Sequence, residues 1–508
     1  MKRIVNSEEM KFCDSNTIRY FGVPAIVLME RAALCVMEEA VKIIPAAGRI
    51  LIVCGSGNNG ADGLAVARLL HQRGYEVVVV QASDHGKRTQ ENQMQRDILE
   101  RYGIKITEQI PQQFFYDGVI DALFGVGLSR APAGIYAEWI QIMNQLGGYK
   151  IAVDMPSGVS ADDGKPYETF FSADLTVTFA YEKAGQILYP GCELCGKVVI
   201  ADIGITDESW LERKPTCFAL EPQDLKEIPK RPHRSNKGTF GRVLVIAGST
   251  NMAGAALFCA QAAYEAGCGL VRVFTPETNR VILQSTLPEA ILSTYACGQE
   301  GNDLSKLLAD AIAWADVIAI GPGIGTEACA CQIAEQVFAD ADIPVIADAD
   351  ALNIAAKTPE IFKTTSAKLI ITPHPGEMAR LCKKQVSDIL NNLRNAAEQF
   401  AKQYDLICVL KDAVTVTAGP SGTWLNTSGC HAMAKGGSGD ILTGLIAALA
   451  AQGMKPEAAA YMGVYLHGMA GEAAAEQKGS YSVLARDILN AVGTVFRTMA
   501  ESRSYEIT

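Results

Sequence analysis

Two α/β domains in succession are what this sequence predicts, and three observations carry the expectation. Short β-rich runs alternate with helical ones in both halves of the 508-residue chain, a Pro- and charge-rich stretch separates the halves, and glycine-rich turns follow predicted strands. Such alternation means parallel strands joined by covering helices, so the fold class is α/β and the first domain is a Rossmann-like three-layer one. Length alone is compatible with two to four domains of roughly 100–200 residues.

Helical periodicity opens the chain over residues 7–16 and 25–43. A buried strand is predicted over 49–54, a helix over 61–73, a strand over 76–80, a polar-faced helix over 87–102, and further strands over 118–121 and 150–154. Residues 221–234 combine prolines and charges without apolar periodicity, so the expected domains are 1–215 and 237–508, joined by a linker over 216–236. Beyond it, strands are predicted over 242–247, 270–274, 317–320, 344–347, 368–371 and 406–410, with a helix over 254–266.

Composition narrows the partners. The net charge of −11 disfavours nucleic acid and anionic membrane, and small molecules are the expected ligands. No secretory signal is readable behind Met1-Lys2-Arg3, and the longest apolar stretch, 441–454, is interrupted and too short to span a bilayer, so a cytoplasmic protein is expected. The 14 cysteines are scattered as small hydrophobes would be, and Cys192-Glu193-Leu194-Cys195 lacks a second pair at zinc-ribbon spacing.

In the first half, Gly55-Ser56-Gly57-Asn58-Asn59-Gly60-Ala61-Asp62-Gly63 is a GxGxxG pattern in the strand–turn–helix setting that gives it meaning. Small residues let the backbone approach a phosphate, and the helix start offers free N–H groups. Asn58, Asn59 and Asp62 bring more side-chain oxygen than a pyrophosphate turn needs. Asp121 and Asp154 each end a predicted strand, followed by the turns Phe124-Gly125-Val126-Gly127-Leu128 and Met155-Pro156-Ser157-Gly158-Val159. On one edge of a parallel sheet, two carboxylates with Asn59 and Ser157 suit a hard cation and a base, although a strand-end aspartate also serves as a turn former or helix cap.

These motifs, with Val153-Asp154-Met155-Pro156-Ser157-Gly158-Val159 and Thr178-Phe179-Ala180-Tyr181-Glu182-Lys183-Ala184-Gly185, resemble the YjeF N-terminal family of NAD(P)H-hydrate epimerases from about residue 7 to about residue 205. The resemblance implies that Asn58, Asn59, Gly60, Ala61 and Asp62 hold a hydrated nicotinamide nucleotide together with Gly125, Val126, Gly127, Leu128, Ser129, Arg130 and Ala131. It also implies that Asp154 contacts this substrate as acid or base, and that Asn59, Asp121 and Ser157 line a potassium (K+) site.

In the second half the unusual residues again follow predicted strands: Gly321-Pro322-Gly323-Ile324-Gly325, Asp348-Ala349-Asp350, Thr372-Pro373-His374-Pro375-Gly376-Glu377 and Lys411-Asp412-Ala413-Val414-Thr415. Ala434-Lys435-Gly436-Gly437-Ser438-Gly439-Asp440 runs straight into an apolar helix. A glycine-rich turn at the positive end of a buried helix is a place to hold phosphate, and Asp440 beside a phosphoryl group is a candidate base. The chain has no GxxxxGK[ST], which excludes a Walker-type loop as its nucleotide site.

From about residue 237 onward these motifs resemble the ribokinase-like superfamily, and the His374 loop resembles its NAD(P)H-hydrate dehydratase branch. The resemblance implies a ribokinase-like α/β domain in which Lys411, Asp412, Ala413, Val414, Thr415 and Gly439 contact the adenine nucleotide, while Ala255, Gly323, His374 and Asp440 face the hydrated dinucleotide. Asp440 would take the proton of the C6 hydroxyl as that oxygen attacks the terminal phosphate of ADP, with magnesium (Mg2+) on the nucleotide.

Both resemblances point to hydrated NADH and NADPH, with R and S forms interconverted by the first domain and the S form dehydrated by the second at the expense of ADP, giving AMP and phosphate. Relatives of this kind are homo-oligomeric, and the same is expected here. On the residues alone two other readings stay open: a ribokinase-like small-molecule kinase with a nucleotide-binding regulatory domain, and a non-catalytic nucleotide sensor. Asp62, Asp121 and Asp154 weigh against the sensor, because carboxylates repel a phosphate ligand unless a cation or a reaction needs them.

Overall fold

Seven aliphatic and β-branched runs, most too short for a buried helix, make the sheet of the N-terminal unit. They are β1 (Arg49–Cys54), β2 (Glu76–Gln81), β3 (Ile106–Thr107), β4 (Gly118–Ala122), β5 (Tyr149–Val153), β6 (Leu175–Phe179) and β7 (Lys197–Ala201). The computed structural model describes residues 1–82, 88–296 and 301–504, apart from the side chains of 500–504. The chain divides into two compact units, one of Arg3–Cys217 and one of Phe218 onward with Met1–Lys2.

The strands of the first unit lie in the order β3-β2-β1-β4-β5-β6-β7 and pair parallel throughout. Along β1, Ile50, Ile52 and Cys54 enter one core while Leu51 and Val53 enter another, so the sheet is covered on both faces. One face packs the helices Ser7–Arg19, Ala25–Ile43 and Asn58–Gln72; the other packs Ile135–Gln145 through Trp139, Ile140 and Met143. The expected three layers are present, and β3, β6 and β7 add strands to those predicted. Strand order reverses beside β1, and at such a switch point a cleft opens outside the carboxyl ends of the strands.

The Gly55 loop fills the mouth of that cleft. Gln81 Nε2 and Asn92 Nδ2 donate to the Gly55 carbonyl at 2.9 and 3.1 Å, and Asn92 Nδ2 also donates to the Gly57 carbonyl at 2.9 Å. No side chain caps the helix Asn58–Gln72, so its first N–H groups stay available. A Cβ on Gly60 would lie 1.9 Å from the Gly55 oxygen, a backbone atom that has no room to yield. Gly60→Ala is expected to destabilise the first unit by about 2 kcal/mol or more, read as a lowered thermal transition; a melting curve matching wild type would show that the loop does give way.

In the second unit the strands are β8 (Arg242–Ile246), β9 (Leu270–Pro276), β10 (Ile291–Tyr295), β11 (Val317–Ile320), β12 (Val345–Ala347), β13 (Leu369–Ile371), β14 (Ile407–Leu410), β15 (Val416–Gly419) and β16 (Gly422–Leu425). Their order is β10-β9-β8-β11-β12-β13-β14-β15-β16, parallel up to β14 and antiparallel after it. The helix Ser438–Ala451 is buried on most of its faces and packs against the helix Ala253–Glu265. Of residues 216–236, expected as a linker, Leu220, Leu225 and Ile228 enter this unit's core, because apolar side chains punctuate the prolines and charges.

Cys54 on β1, Cys259 in the helix Ala253–Glu265 and Cys408 on β14 are wholly buried, and burial pushes each thiol up. Among the described residues no disulfide forms, and no helix is long and apolar enough to cross a membrane.

Candidate active sites

Outside the carboxyl ends of β1, β4 and β5 lies a cavity of about 550 Å³. Of the residues singled out from sequence, Asn58, Asn59, Asp62, Gly125, Val126, Gly127, Leu128 and Asp154 line it. Gly60 and Ala61 are buried in the first turn of their helix, and Ser129, Arg130 and Ala131 are exposed outside the cavity lining. The helix Ser7–Arg19 contributes Met10, Lys11 and Asp14 to the wall, and none of the three stands in a motif of the sequence.

Asp154 is held from every side. Its backbone takes the left-handed region, φ 68°, which aspartate tolerates better than most residues. Its N–H donates to the Val177 carbonyl at 2.8 Å, and its own carbonyl accepts from Gln186 Nε2 at 2.8 Å. On the carboxylate, Oδ1 accepts from Lys183 Nζ at 2.6 Å and from Thr178 Oγ1 at 3.2 Å. Lys183 is fully buried, and Nζ also donates to Thr178 Oγ1 at 2.7 Å and to the Phe179 carbonyl at 3.1 Å. A buried ammonium is tolerable only when paired and hydrogen-bonded in this way.

Next to it, Asp121 and Ser157 lock together. Ser157 donates its N–H to Asp121 Oδ2 and its hydroxyl to Oδ1, both at 2.7 Å, and the Leu123 N–H donates to Oδ1 at 3.1 Å. Burial pushes Asp121 up to about 6 in spite of these bonds. Ser157 Oγ accepts from the Phe124 N–H at 3.0 Å; one residue on, a Cβ on Gly125 would fall 3.0 Å from Asp154 Oδ2 and 3.1 Å from Asn59 Oδ1. The Phe124–Gly125 turn thus lies against Ser157 Oγ on one side and Asp154 Oδ2 and Asn59 Oδ1 on the other, and Asn59 Nδ2 is buried without a partner.

The second unit assembles its site at the carboxyl ends of β8, β11, β12, β13 and β14. Ala255 and Gly323 meet, since a Cβ on Gly323 would lie 2.9 Å from the Ala255 Cβ. The Lys411 N–H donates to the Pro373 carbonyl at 2.8 Å, tying that turn to the His374 loop. His374 caps the helix Pro375–Cys382, Nδ1 accepting from the Gly376 N–H at 3.0 Å, and burial together with Lys411 holds its imidazole below the usual histidine range. Asp412 and Ala413 are exposed at the turn, Val414 is buried beneath it, and the Thr415 carbonyl accepts from the Asn426 N–H at 3.0 Å.

Lys411 Nζ donates to Asp348 Oδ1 at 2.7 Å, and Thr443 Oγ1 donates to Asp348 Oδ2 at 2.9 Å. Both charges abut Gly439: a Cβ there would lie 3.4 Å from Lys411 Nζ and 3.7 Å from Asp348 Oδ2. The helix Ser438–Ala451 begins at Gly437, φ 92°, with no side-chain cap. Burial, then Asp348, push the Asp440 carboxyl up to about 7 against the pull of Lys411. Behind it Ser438 Oγ and His467 Nε2 lie 3.2 Å apart, and burial pushes His467 down to about 4. Asp348 stands in a loop the sequence marked as unusual and Lys183 in the motif over residues 178–185, where no role was assigned to it, whereas Thr443 and His467 carried no local signal.

These folds and sites define a two-unit α/β enzyme, each unit with a carboxylate set beside a glycine-rich helix start. The model of the NAD(P)H-hydrate dehydratase family matches residues 243–493, and that of the YjeF-related protein N-terminus matches residues 25–185. A bifunctional NAD(P)H-hydrate repair enzyme of Moorella thermoacetica is 36% identical over 519 residues, covering 98% of this chain and 97% of its own. The Escherichia coli enzyme of the same name is 32% identical, covering 96% of this chain and 92% of its own. Among solved structures, the ADP/ATP-dependent NAD(P)H-hydrate dehydratase of Bacillus subtilis, co-crystallized with ATP/Mg2+, is 33% identical and superposes with a TM-score of 0.50 over 55% of this chain and 98% of its own. A ribokinase-like superfamily protein of Enterococcus faecalis is 30% identical, with a TM-score of 0.51 over 56% of this chain and 96% of its own. The chain belongs to the family of bifunctional NAD(P)H-hydrate repair enzymes.

Proposed function

We propose that the first unit interconverts the R and S forms of hydrated NADH and NADPH around Asp154, and that the second dehydrates the S form around Asp440 using ADP, giving NAD(P)H, AMP and phosphate. The observation that carries the reading is the Asp440 carboxyl, pushed up to about 7 at an uncapped helix start with Lys411 against Gly439. Asp440 takes the C6 hydroxyl proton while the oxygen attacks the terminal phosphate; the N–H groups from Gly437 to Gly439 and the Lys411 ammonium stabilise the charge that develops. Phosphate is a better leaving group than hydroxide, so the N1 lone pair expels it from C6, C5 then loses a proton to water, and the C5–C6 double bond re-forms. Ala255, Gly323 and His374 face the dinucleotide, and Lys411 to Thr415 with Gly439 face the adenine nucleotide.

Mg2+ belongs to the nucleotide in this reading, as phosphoryl transfer calls for. Its chemistry is to neutralise the phosphates during transfer. K+ in the first unit suits Asn59, Asp121 and Ser157: the donors are hard oxygens, and the Asn59 amide, whose Nδ2 has no partner, presents its Oδ1 at the Gly125 turn. Bound there, the ion would order the Phe124–Gly125 turn around Asp154. In this reading the protein acts in the cytoplasm, where its nicotinamide substrates arise.

The test is to mix the protein with R and S hydrated NADH, K+, Mg2+ and ADP, and to follow the near-ultraviolet absorbance of reduced nicotinamide. Full recovery is expected. Recovery of only the S share would remove the epimerase assignment, and a stable phosphorylated product without phosphate release would favour a kinase.

A further inference from the structure

The cavity of the first unit holds three carboxyl groups in unlike surroundings. Asp154 is paired with Lys183, whereas Asp14 and Asp62 line the same space with no hydrogen-bond or ion-pair partner among the described residues. Lys183 is fully buried and spends its donors on Asp154, Thr178 and the Phe179 carbonyl, so its charge answers one carboxylate. The other cation in the lining, Lys11, is carried on an exposed position of the helix Ser7–Arg19. We propose that Lys183 is the positioning residue that fixes Asp154 as the base of the epimerase, and that Asp14 and Asp62 share the proton its acid step requires. This rests on the epimerase reading of the first unit.

Electrostatics supports the division. Burial raises both Asp62 and Asp14, and each is raised further by the charge on Asp154. Like charges confined to one pocket favour a shared proton, and environments that separate two carboxyls assign one as acid and the other as base.

The chemistry needs one of each. C6 of the hydrated ring bears a hydroxyl and a bond to N1. Asp154 takes the hydroxyl proton, the oxygen forms a carbonyl, and the C6–N1 electron pair goes to nitrogen, which receives the proton shared by Asp14 and Asp62. Rotation about C5–C6 presents the other face of the aldehyde. On closure nitrogen re-attacks C6, its proton returns to the Asp14–Asp62 pair, and Asp154 returns its own to oxygen. Nothing is consumed, and both protonation states are restored.

The experiment measures conversion of R to S hydrated NADH by the full chain without ADP, so that the second unit is idle, by chiral chromatography corrected for the uncatalysed rate. Lys183→Met is expected to lower kcat about 10²-fold with KM little changed, and Asp14→Asn to lower kcat by a comparable factor. Thr178→Val, which removes the hydroxyl bridging Lys183 and Asp154, should give a smaller loss of the same kind and covers the case in which Lys183→Met does not fold. A rise in KM with kcat unchanged in Lys183→Met, or wild-type kcat in Asp14→Asn, would overturn the inference. Absence of conversion by the wild type would instead remove the epimerase reading, and this inference with it.

Discussion

Asp440→Asn is expected to lower dehydration of S hydrated NADH at least about 10²-fold while leaving R-to-S conversion at the wild-type rate. Asparagine keeps the shape and the helix start but cannot take the C6 hydroxyl proton. The pH dependence follows from the same carboxyl. Its pKa is raised from the ordinary aspartate value to about 7, and the working form is the deprotonated one, so kcat/KM for dehydration should fall about tenfold per unit as the pH drops below about 7. A profile flat down to pH 5, or an Asp440→Asn enzyme within a few-fold of wild type, would take the base away from this position.

The complementary substitution, Asp154→Asn, should abolish R-to-S conversion by at least about 10²-fold and spare dehydration of the S form. Asparagine also tolerates the left-handed backbone at this position, φ 68°, so the change isolates the charge rather than the turn. It leaves the buried Lys183 ammonium facing a neutral amide, so protease resistance of the first unit has to accompany the rate measurement. With an R and S mixture, ADP and Mg2+, only the S share of reduced cofactor should return. Loss of both activities would refute a division of labour between the units.

Much of the fold was legible because its signals are local. The run Arg49–Cys54 is apolar, short and followed by glycines, and the structure makes it β1 with those bounds. The strand orders were not legible, since nothing in β1 or β8 states which neighbours flank it; yet both sheets place their first strand between the second and the fourth. Ile291–Tyr295 was missed as a strand because its residues are mostly half-exposed and lack an apolar run.

The sites divide along the same line. Asp440 could be picked out because glycines and an apolar helix surround it in sequence, and Asp154 because it ends a strand before a glycine turn. Lys183 stands in a motif the sequence marks, but its role could not be read there, because a lysine between Glu182 and Ala184 looks like a solvated charge until the chain folds back to place Asp154 2.6 Å away. Thr443 and His467 are hidden in the same way: each gains its meaning from a partner far off in sequence, Asp348 for one and Ser438 for the other. Conversely Ser129, Arg130 and Ala131 share a turn with the cavity wall, and chain geometry carries them out to solvent.

Two of the buried thiols give this chain a built-in pair of gauges. Cys54 and Cys408 sit on interior strands of different units, each sealed from water and held protonated, so an alkylating reagent reaches either sulfur only when its own unit opens. Half-exposed cysteines such as Cys35 and Cys382 react first; the labelling rates of Cys54 and Cys408, followed peptide by peptide, time the opening of one unit and of the other. The breathing of each half of the enzyme is thereby measurable within the intact chain, before and after each half meets its ligand.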